Sequence, residues 1–123
     1  MIPSQNRLDI HLDHGHDYGP ILVVNGDVDS HTVPVLARAV GRAADLRPRR
    51  LLLDLTGVSH LGSAGIEVLL DVYAAGEQTL LAVIATGPTA RVLHTAGVDT
   101  VIAVYPYRAM ALVCTAAAVA PPG

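Results

Sequence analysis

Aromatic residues are nearly absent from this chain of 123 residues, which contains no phenylalanine, no tryptophan and four tyrosines. The sequence therefore offers no set of aromatic side chains on which nucleic-acid bases could stack. Its net charge of −3, with the histidines neutral, also argues against a surface for polyanions. We expect no nucleic acid among the partners, and a core built from valine, leucine, isoleucine and alanine.

Cysteine and long apolar runs are also scarce. The lone cysteine, Cys114, excludes an intrachain disulfide and favours a reducing compartment. Its context, ALVCTAAAV, predicts a buried small side chain. The longest apolar stretch is about half as long as a membrane span requires, and the first residues show no signal-peptide pattern. We therefore expect a cytoplasmic protein with no membrane partner.

Hydrophobic periodicity predicts five strands and four helices in the order ββαβαβαβα. Two leading strands followed by regular alternation favour an α/β fold, with a mainly parallel or mixed sheet and the helices packed against it. We expect a single domain over residues 1–123, with an ordered core at about 8–118 and a disordered C-terminal tail, APPG. The predicted strands cover 7–13, 21–26, 50–55, 79–86 and 100–105.

The first two helices are each identified by an apolar stripe at helical spacing. We expect Ser30 or Asp29 to cap the first helix, and the second helix to begin near Ser63 and end by Gly76. Gly97 is placed to terminate the third helix. The predicted core-facing stripes are Val33, Leu36, Ala37, Val40 and Ala44 in the first helix and Ile66, Leu69, Leu70 and Tyr73 in the second.

Basic and metal-ligating residues cluster at two places. Arg47, Arg49 and Arg50 flank a predicted helix–strand turn, where we expect solvated side chains rather than a phosphate-binding track. A second cluster, in HLDHGHD, has imidazoles and a carboxylate at spacings that can ligate zinc or nickel. We favour a polar hairpin loop with solvated histidines, hence no metal and no cofactor, and keep metal binding as the alternative. The imidazoles of this cluster are His11, His14 and His16.

The segment VSHLGSAGIEVLL, residues 58–70, places four small residues between two apolar stretches. It is not a nucleotide-binding fingerprint, because Gly-x-x-Gly is too short and no Lys-Ser/Thr pair follows. It does not match the Gly-x-Ser-x-Gly elbow of a hydrolase either, and spacing identifies no histidine that would activate Ser63. We therefore expect no enzymatic activity.

A structural interpretation accounts for each small residue of this segment. Ser63 caps a helix, Gly62 gives the strand-to-helix turn its freedom, and Gly65 lets helix and sheet approach closely. The start of such a helix also carries free N–H groups and a partial positive charge. An anion, a phosphoryl group on the serine or a partner protein would fit there.

Three stretches, in this order, resemble the STAS domain, the sulfate transporter and anti-sigma factor antagonist fold: NGDVDSHTVPVL, LLLDLTGVSHLGSAGIEVLL and PTARVLHTAGVDTVIAVY. The resemblance extends from about Leu8 to Leu112. It implies a regulatory domain that docks an anti-sigma factor, often a GHKL-type serine kinase, and so frees a sigma factor. In the family, phosphorylation of a serine at the start of the second helix prevents docking, because phosphate adds about two negative charges to a surface that must lose its water.

The sequence departs from the family at the phosphate-accepting position. Where the family reads Asp-Ser-Ser-Gly, this chain has Gly62, Ser63, Ala64 and Gly65, so Ala64 replaces the usual acceptor. Either Ser63 is a displaced acceptor, or this loop is not switched by phosphorylation. We expect the latter, because an N-cap serine folds its side chain back onto its own helix.

The resemblance places the docking surface on the loop before the first helix and the start of the second. Such interfaces bury about 1,600 Å² in total, so one loop is not sufficient. An alternative function is a STAS-type sensor of a nucleotide or other small molecule, or a subunit of a larger assembly; a homodimer is also open. The expected partner-binding residues are Asp27, Asp29, Ser30, His31, Gly62, Ser63, Ala64 and Glu67.

Overall fold

The computed structural model describes residues 8–13, 19–76 and 78–119, with side chains as far as residue 116. The predicted tail at 120–123 lies outside them. The elements follow the predicted order ββαβαβαβα, with a 3₁₀ turn at Val98–Thr100. The strands are β1 (Leu8–Asp13), β2 (Ile21–Val28), β3 (Arg50–Leu61), β4 (Leu80–Ile84) and β5 (Ala103–Tyr105). The helices are α1 (Val33–Asp45), α2 (Ser63–Ala75), α3 (Gly87–Thr95) and α4 (Arg108–Val119).

The five strands form one mixed sheet in which spatial order follows chain order. β1 pairs with β2 antiparallel, and the other three pairs are parallel. β3 is the central strand and continues beyond its predicted end at Leu55 to Leu61. The reason is its partner, since β2 pairs with it as far as Val28 across two register shifts.

Two apolar clusters lie on opposite faces of this sheet. In β3, Leu51, Leu53 and Leu55 belong to the larger cluster and Leu52 to the smaller one, as the alternation of a strand requires. Side chains from α1, α2 and α3 pack on the strand residues of the larger cluster. Side chains from α4 pack on those of the smaller cluster. Three helices therefore cover one face and a single helix covers the other.

The buried face of α1 is rotated from the predicted one. Leu36, Val40 and Ala43 are buried, whereas Ala37 is exposed and Ala44 is half-buried. The last two lie on the side of α1 that faces α2, where they line a groove between the helices. Their small size leaves this groove open.

The buried face of α2 is narrower than predicted. Gly65 and Leu69 are buried and Ile66 is half-buried, but Leu70 is 37% and Tyr73 46% exposed. The helix is apolar over most of its circumference, so periodicity alone does not select the side that meets the sheet.

The position of α4 overturns two predictions. Arg50 is fully buried rather than solvated, and its Nη1 donates to Thr115 Oγ1 at 3.0 Å and to the Leu112 carbonyl at 3.4 Å. To reach this contact, α4 turns Ala111 and Thr115 toward the sheet. Cys114 is consequently exposed, not buried.

An ion pair attaches the start of α4 to the sheet. Arg108 Nη2 donates to Asp54 Oδ2 at 2.7 Å, and Nη1 lies 3.5 Å from Asp13 Oδ2. Burial raises the pKa of Asp54, but hydrogen bonds from Thr56 and Arg108 outweigh it and hold the pKa below its usual 3.8. Asp54 is therefore a buried carboxylate that is ionised at neutral pH.

Candidate functional site

The carboxyl ends of β2 and β3 meet at one edge of the sheet and carry both segments predicted to bind a partner. In register, Asp27 lies beside His60 and Val28 beside Leu61. The Gly62 N–H donates to the Val28 carbonyl at 2.8 Å, which ties the start of α2 to the end of β2. We call the eight predicted contact residues at this edge the rim: Asp27, Asp29, Ser30, His31, Gly62, Ser63, Ala64 and Glu67.

Asp29 organises the loop between β2 and α1. Its Oδ1 accepts hydrogen bonds from the backbone N–H of His31 at 2.8 Å and of Thr32 at 3.0 Å. Desolvation raises the pKa of Asp29, but the hydrogen bonds from Thr32 and His31 outweigh it and lower the pKa below 3.8. The carboxylate therefore holds the loop in shape and carries a full negative charge at neutral pH.

Thr32 is the residue of this loop that sequence reasoning missed. Its buried hydroxyl donates to the Asp27 carbonyl at 2.7 Å and accepts from the Asp29 N–H at 3.0 Å. Thr32 directly precedes α1, but its side chain makes no cap hydrogen bond. Asp29 supplies the cap, as predicted, because its carboxylate accepts from the first free N–H groups and its carbonyl accepts from the Val33 N–H at 2.8 Å. The signal was present as the Asp-x-x-Thr spacing in GDVDSHT, which is typical of side chains that bond a turn's own backbone.

The N-cap of α2 is Gly62, in an extended conformation. The prediction that Ser63 caps this helix is wrong, because β3 continues to Leu61 and leaves Ser63 as the first helical residue. A Cβ at Gly62 would lie 3.2 Å from the Val28 carbonyl oxygen, so the close approach of the two segments favours glycine. Ser63 is exposed, and the reason for expecting no phosphorylation there no longer applies.

Gly65 sits where α2 crosses the ends of β2 and β3. A Cβ on this residue would lie 2.5 Å from Val28 Cγ1 and 2.8 Å from Leu61 Cδ1, and both side chains are buried. The side of α2 that carries Gly65 therefore packs directly against the sheet in the first turn of the helix. Ser63 and Glu67 face solvent on the other side of the helix.

The rim is an exposed and acidic surface. None of its eight residues is buried, and the His31 side chain is 77% exposed. It carries the carboxyl groups of Asp27, Asp29 and Glu67 and contains neither lysine nor arginine. Its centre is made of residues no larger than serine. A surface of this shape suits a macromolecular partner better than an enclosed small ligand.

A groove of about 860 Å³ lies between α1 and α2 near their C-terminal ends, away from the rim. The alternative function as a small-molecule sensor places a ligand at the start of α2, and this groove is elsewhere. Its lining combines small and aliphatic side chains with polar side chains and charges of both signs. The residues that line it include Ala37, Gly41, Leu51, Val68, Val72 and Leu81, together with the charged residues Asp45, Arg47, Arg49 and Asp71.

The structure describes only part of the proposed metal cluster. His11 is exposed on β1, whereas His14 and His16 lie outside the described residues. Within 8–13, 19–76 and 78–119, no three candidate ligand side chains are grouped around a common point. His94 instead pairs with Asp99, with Nδ1 2.7 Å from Oδ2. Over the same ranges, no helix combines the length and the hydropathy needed to cross a membrane.

Comparisons with known proteins agree with this architecture. The family model described as STAS domain matches residues 9–111. Anti-sigma-F factor antagonist RsfB of Mycobacterium tuberculosis is 31% identical over 86 residues, which are 68% of this chain and 70% of that protein. The crystal structure of an anti-sigma factor antagonist from Mycobacterium paratuberculosis superposes with a TM-score of 0.86 at 31% identity, covering 92% of this chain and 97% of the other.

A more distant match bears on the fold alone. The Bacillus cell fate determinant SpoIIAA, in its phosphorylated form, superposes with a TM-score of 0.64 at 15% identity, covering 87% of this chain and 99% of that one. The order of elements, the mixed sheet and the match over residues 9–111 lead to one assignment. This chain belongs to the STAS domain family.

Proposed function

We propose that this chain is an anti-sigma factor antagonist, a non-enzymatic protein that binds an anti-sigma factor through the rim and thereby frees a sigma factor. The observation that carries the proposal is the 31% identity, over 86 residues, with a relative of that name. The structural relative with a TM-score of 0.86 has the same designation. The place of action would be the cytoplasm, and no cofactor is required.

The geometry of the rim supports a docking role. Its two segments are fixed before any partner arrives, through the Gly62–Val28 backbone hydrogen bond and the contacts of Asp29 and Thr32. A preformed surface loses little conformational entropy on binding. The small residues at its centre allow the partner's backbone to approach α2 closely.

Regulation of this surface would involve Ser63 rather than the usual family position. Ala64 has no hydroxyl group, whereas Ser63 is exposed at the first residue of α2. If the partner is a GHKL-type serine kinase, we assign phosphoryl transfer at the start of α2 to the Ser63 hydroxyl. The added charge would then sit at the centre of the rim, where it hinders docking by its cost of desolvation.

The test uses two matched substitutions of exposed hydroxyl residues. Ser63→Tyr fills the centre of the rim, whereas Thr95→Tyr places the same side chain at the end of α3. We expect the wild type and Thr95→Tyr to capture an anti-sigma factor from the native host and Ser63→Tyr to bind it at least tenfold more weakly. Equal binding by all three chains would remove Ser63 from the contact surface. Capture of proteins that include no anti-sigma factor would refute the function.

A further inference from the structure

Helix α2 carries an apolar stripe that begins at the rim and faces solvent. Ile66, Leu70 and Tyr73 follow one another at i, i+4 and i+7, so they lie along one side of the helix. Ile66 is half-buried and packs partly against the larger core cluster, whereas Leu70 is 37% and Tyr73 46% exposed. Because the Ile66 N–H bonds to the carbonyl of Gly62, the stripe starts within the first turn after the rim.

Acidic side chains accompany this stripe. Glu67 and Asp71 are both exposed on α2, and the helix has no basic residue at all. Asp27 and Asp29 add two further carboxylates at the rim end. The surface formed by the rim and the outer side of α2 is therefore negative throughout, with the apolar stripe along its border.

We propose that Leu70 and Tyr73, continued toward the rim by the exposed part of Ile66, anchor the partner that docks on the rim, and that this partner presents an apolar cleft bordered by lysine or arginine. The proposal rests on the proposed function. The rim alone lacks a large apolar side chain, whereas protein interfaces draw most of their binding free energy from a few buried anchors, with tyrosine enriched among them. The stripe supplies such anchors next to the rim. It also increases the surface area that the complex would bury, toward the value typical of stable interfaces.

Charge decides between this partner and a second copy of the chain. Two copies that met through α2 would bring Glu67 and Asp71 of each protomer near the same groups of the other, and like charges at an interface oppose association. A basic partner instead gains attraction from these carboxylates. Their exposure also means that the attraction acts mainly on the association rate and weakens as salt is added.

The experiment measures binding of the anti-sigma factor captured by the wild type, purified and titrated against single variants. Leu70→Ala and Tyr73→Ala remove the anchors, and Val113→Ala is the matched control because Val113 is 76% exposed on α4, on the other face of the sheet. Asp71→Arg reverses a charge beside the stripe. Asp45→Arg makes the same change on α1, and because both aspartates line the groove between α1 and α2, an effect that acts through the groove would appear in both variants.

We expect Kd to rise about 10- to 100-fold for Leu70→Ala and Tyr73→Ala and less than twofold for Val113→Ala. Asp71→Arg should slow association severalfold, and more so at low salt than at high salt, while Asp45→Arg changes it little. Far-UV circular dichroism checks that the variants fold, which the exposure of both anchors leads us to expect.

Each result separates this proposal from the one on which it rests. An anti-sigma factor that binds Leu70→Ala and Tyr73→Ala as tightly as the wild type overturns the anchor but leaves the proposed function standing. A wild-type chain that dimerises, and loses the dimer in these variants, overturns the assignment of the stripe to a basic partner. A captured protein of another kind that needs Leu70, Tyr73 and Asp71 overturns the function and supports the anchor. Failure to capture any protein counts against both.

Discussion

A methyl group added at Gly65 should destabilise the chain, whereas the same methyl group at Gly41 should stabilise it. Both glycines lie inside helices, where exchange to alanine gains about 0.5–1 kcal/mol from reduced backbone entropy. They differ in their surroundings. A Cβ at Gly41 meets no atom within 4 Å, but a Cβ at Gly65 lies 2.5 Å from Val28 Cγ1 and 2.8 Å from Leu61 Cδ1.

The magnitude follows from the packing around Gly65. Val28 and Leu61 are both buried, so neither side chain moves away without disturbing the larger core cluster. Overpacking of this kind costs about 1–3 kcal/mol. After subtraction of the helix-propensity gain, Gly65→Ala should lose up to about 2.5 kcal/mol, whereas Gly41→Ala should gain up to about 1 kcal/mol.

Urea unfolding followed by far-UV circular dichroism measures both free energies, and a chain of this size should shift its Tm by about 3–6 °C per kcal/mol. The two variants should fall on opposite sides of the wild type with unchanged m-values. If Gly65→Ala and Gly41→Ala had the same free energy of unfolding, α2 would be able to shift away from the strands without loss of stability. The account of Gly65 as the contact that fixes the start of α2 would then be wrong.

The remaining predictions concern one buried carboxylate and one exposed hydroxyl. Because folding lowers the pKa of Asp54 below 3.8, its stabilisation is present above that pH and is lost as the pH falls through the lower, folded-state pKa. The free energy of unfolding of Asp54→Asn should therefore be about 1–2 kcal/mol lower than that of the wild type at pH 7. This difference should become smaller toward pH 3. A difference that stays constant with pH would contradict the ion pair with Arg108. In a radiolabelled ATP assay with a captured kinase partner, label should appear on the wild type and on Ser30→Ala but not on Ser63→Ala, and label retained by Ser63→Ala would place the acceptor elsewhere.

Local signals predicted most of the fold, because each depends on neighbouring residues. The strand and helix periodicities yielded the order ββαβαβαβα that the structure has. Gly97, expected to end α3, follows the C-cap residue Ala96 with a left-handed φ of 78°. In both cases the determining physics lies within a few residues along the chain.

The errors arise where distant parts of the chain decide the environment. Arg50 was expected in solvent, but Thr115 and the Leu112 carbonyl reach it from α4, more than sixty residues later. Helical periodicity placed Leu70 on the core side of α2, although Gly65 turns a different side of the helix to the sheet. Neither contact can be predicted from the residues that are neighbours in the sequence.

The same limit applies to the candidate site. The segments of the rim were predicted from the family resemblance, and their placement at one edge follows from the parallel pairing of β2 and β3. The cap of α2 is not the predicted one, because the extension of β3 to Leu61 shifts the cap from Ser63 to Gly62. This shift of one residue decides whether the serine faces its helix or the solvent.

β1 and α4 both run away from the rim, so the start of β1 and the end of α4 lie at opposite ends of the sheet. This arrangement determines how the protein should be attached to a sensor surface. Leu8 pairs with Gly26, so a tag fused ahead of β1 would be tethered one strand away from Asp27. α4 runs in the same direction as β1, from its contact with Asp54 toward Arg50 at the start of β3, so its end lies away from the rim. Immobilisation through the C-terminus thus leaves the rim oriented toward the flowing analyte, while an N-terminal tether would crowd it and lower the measured binding capacity.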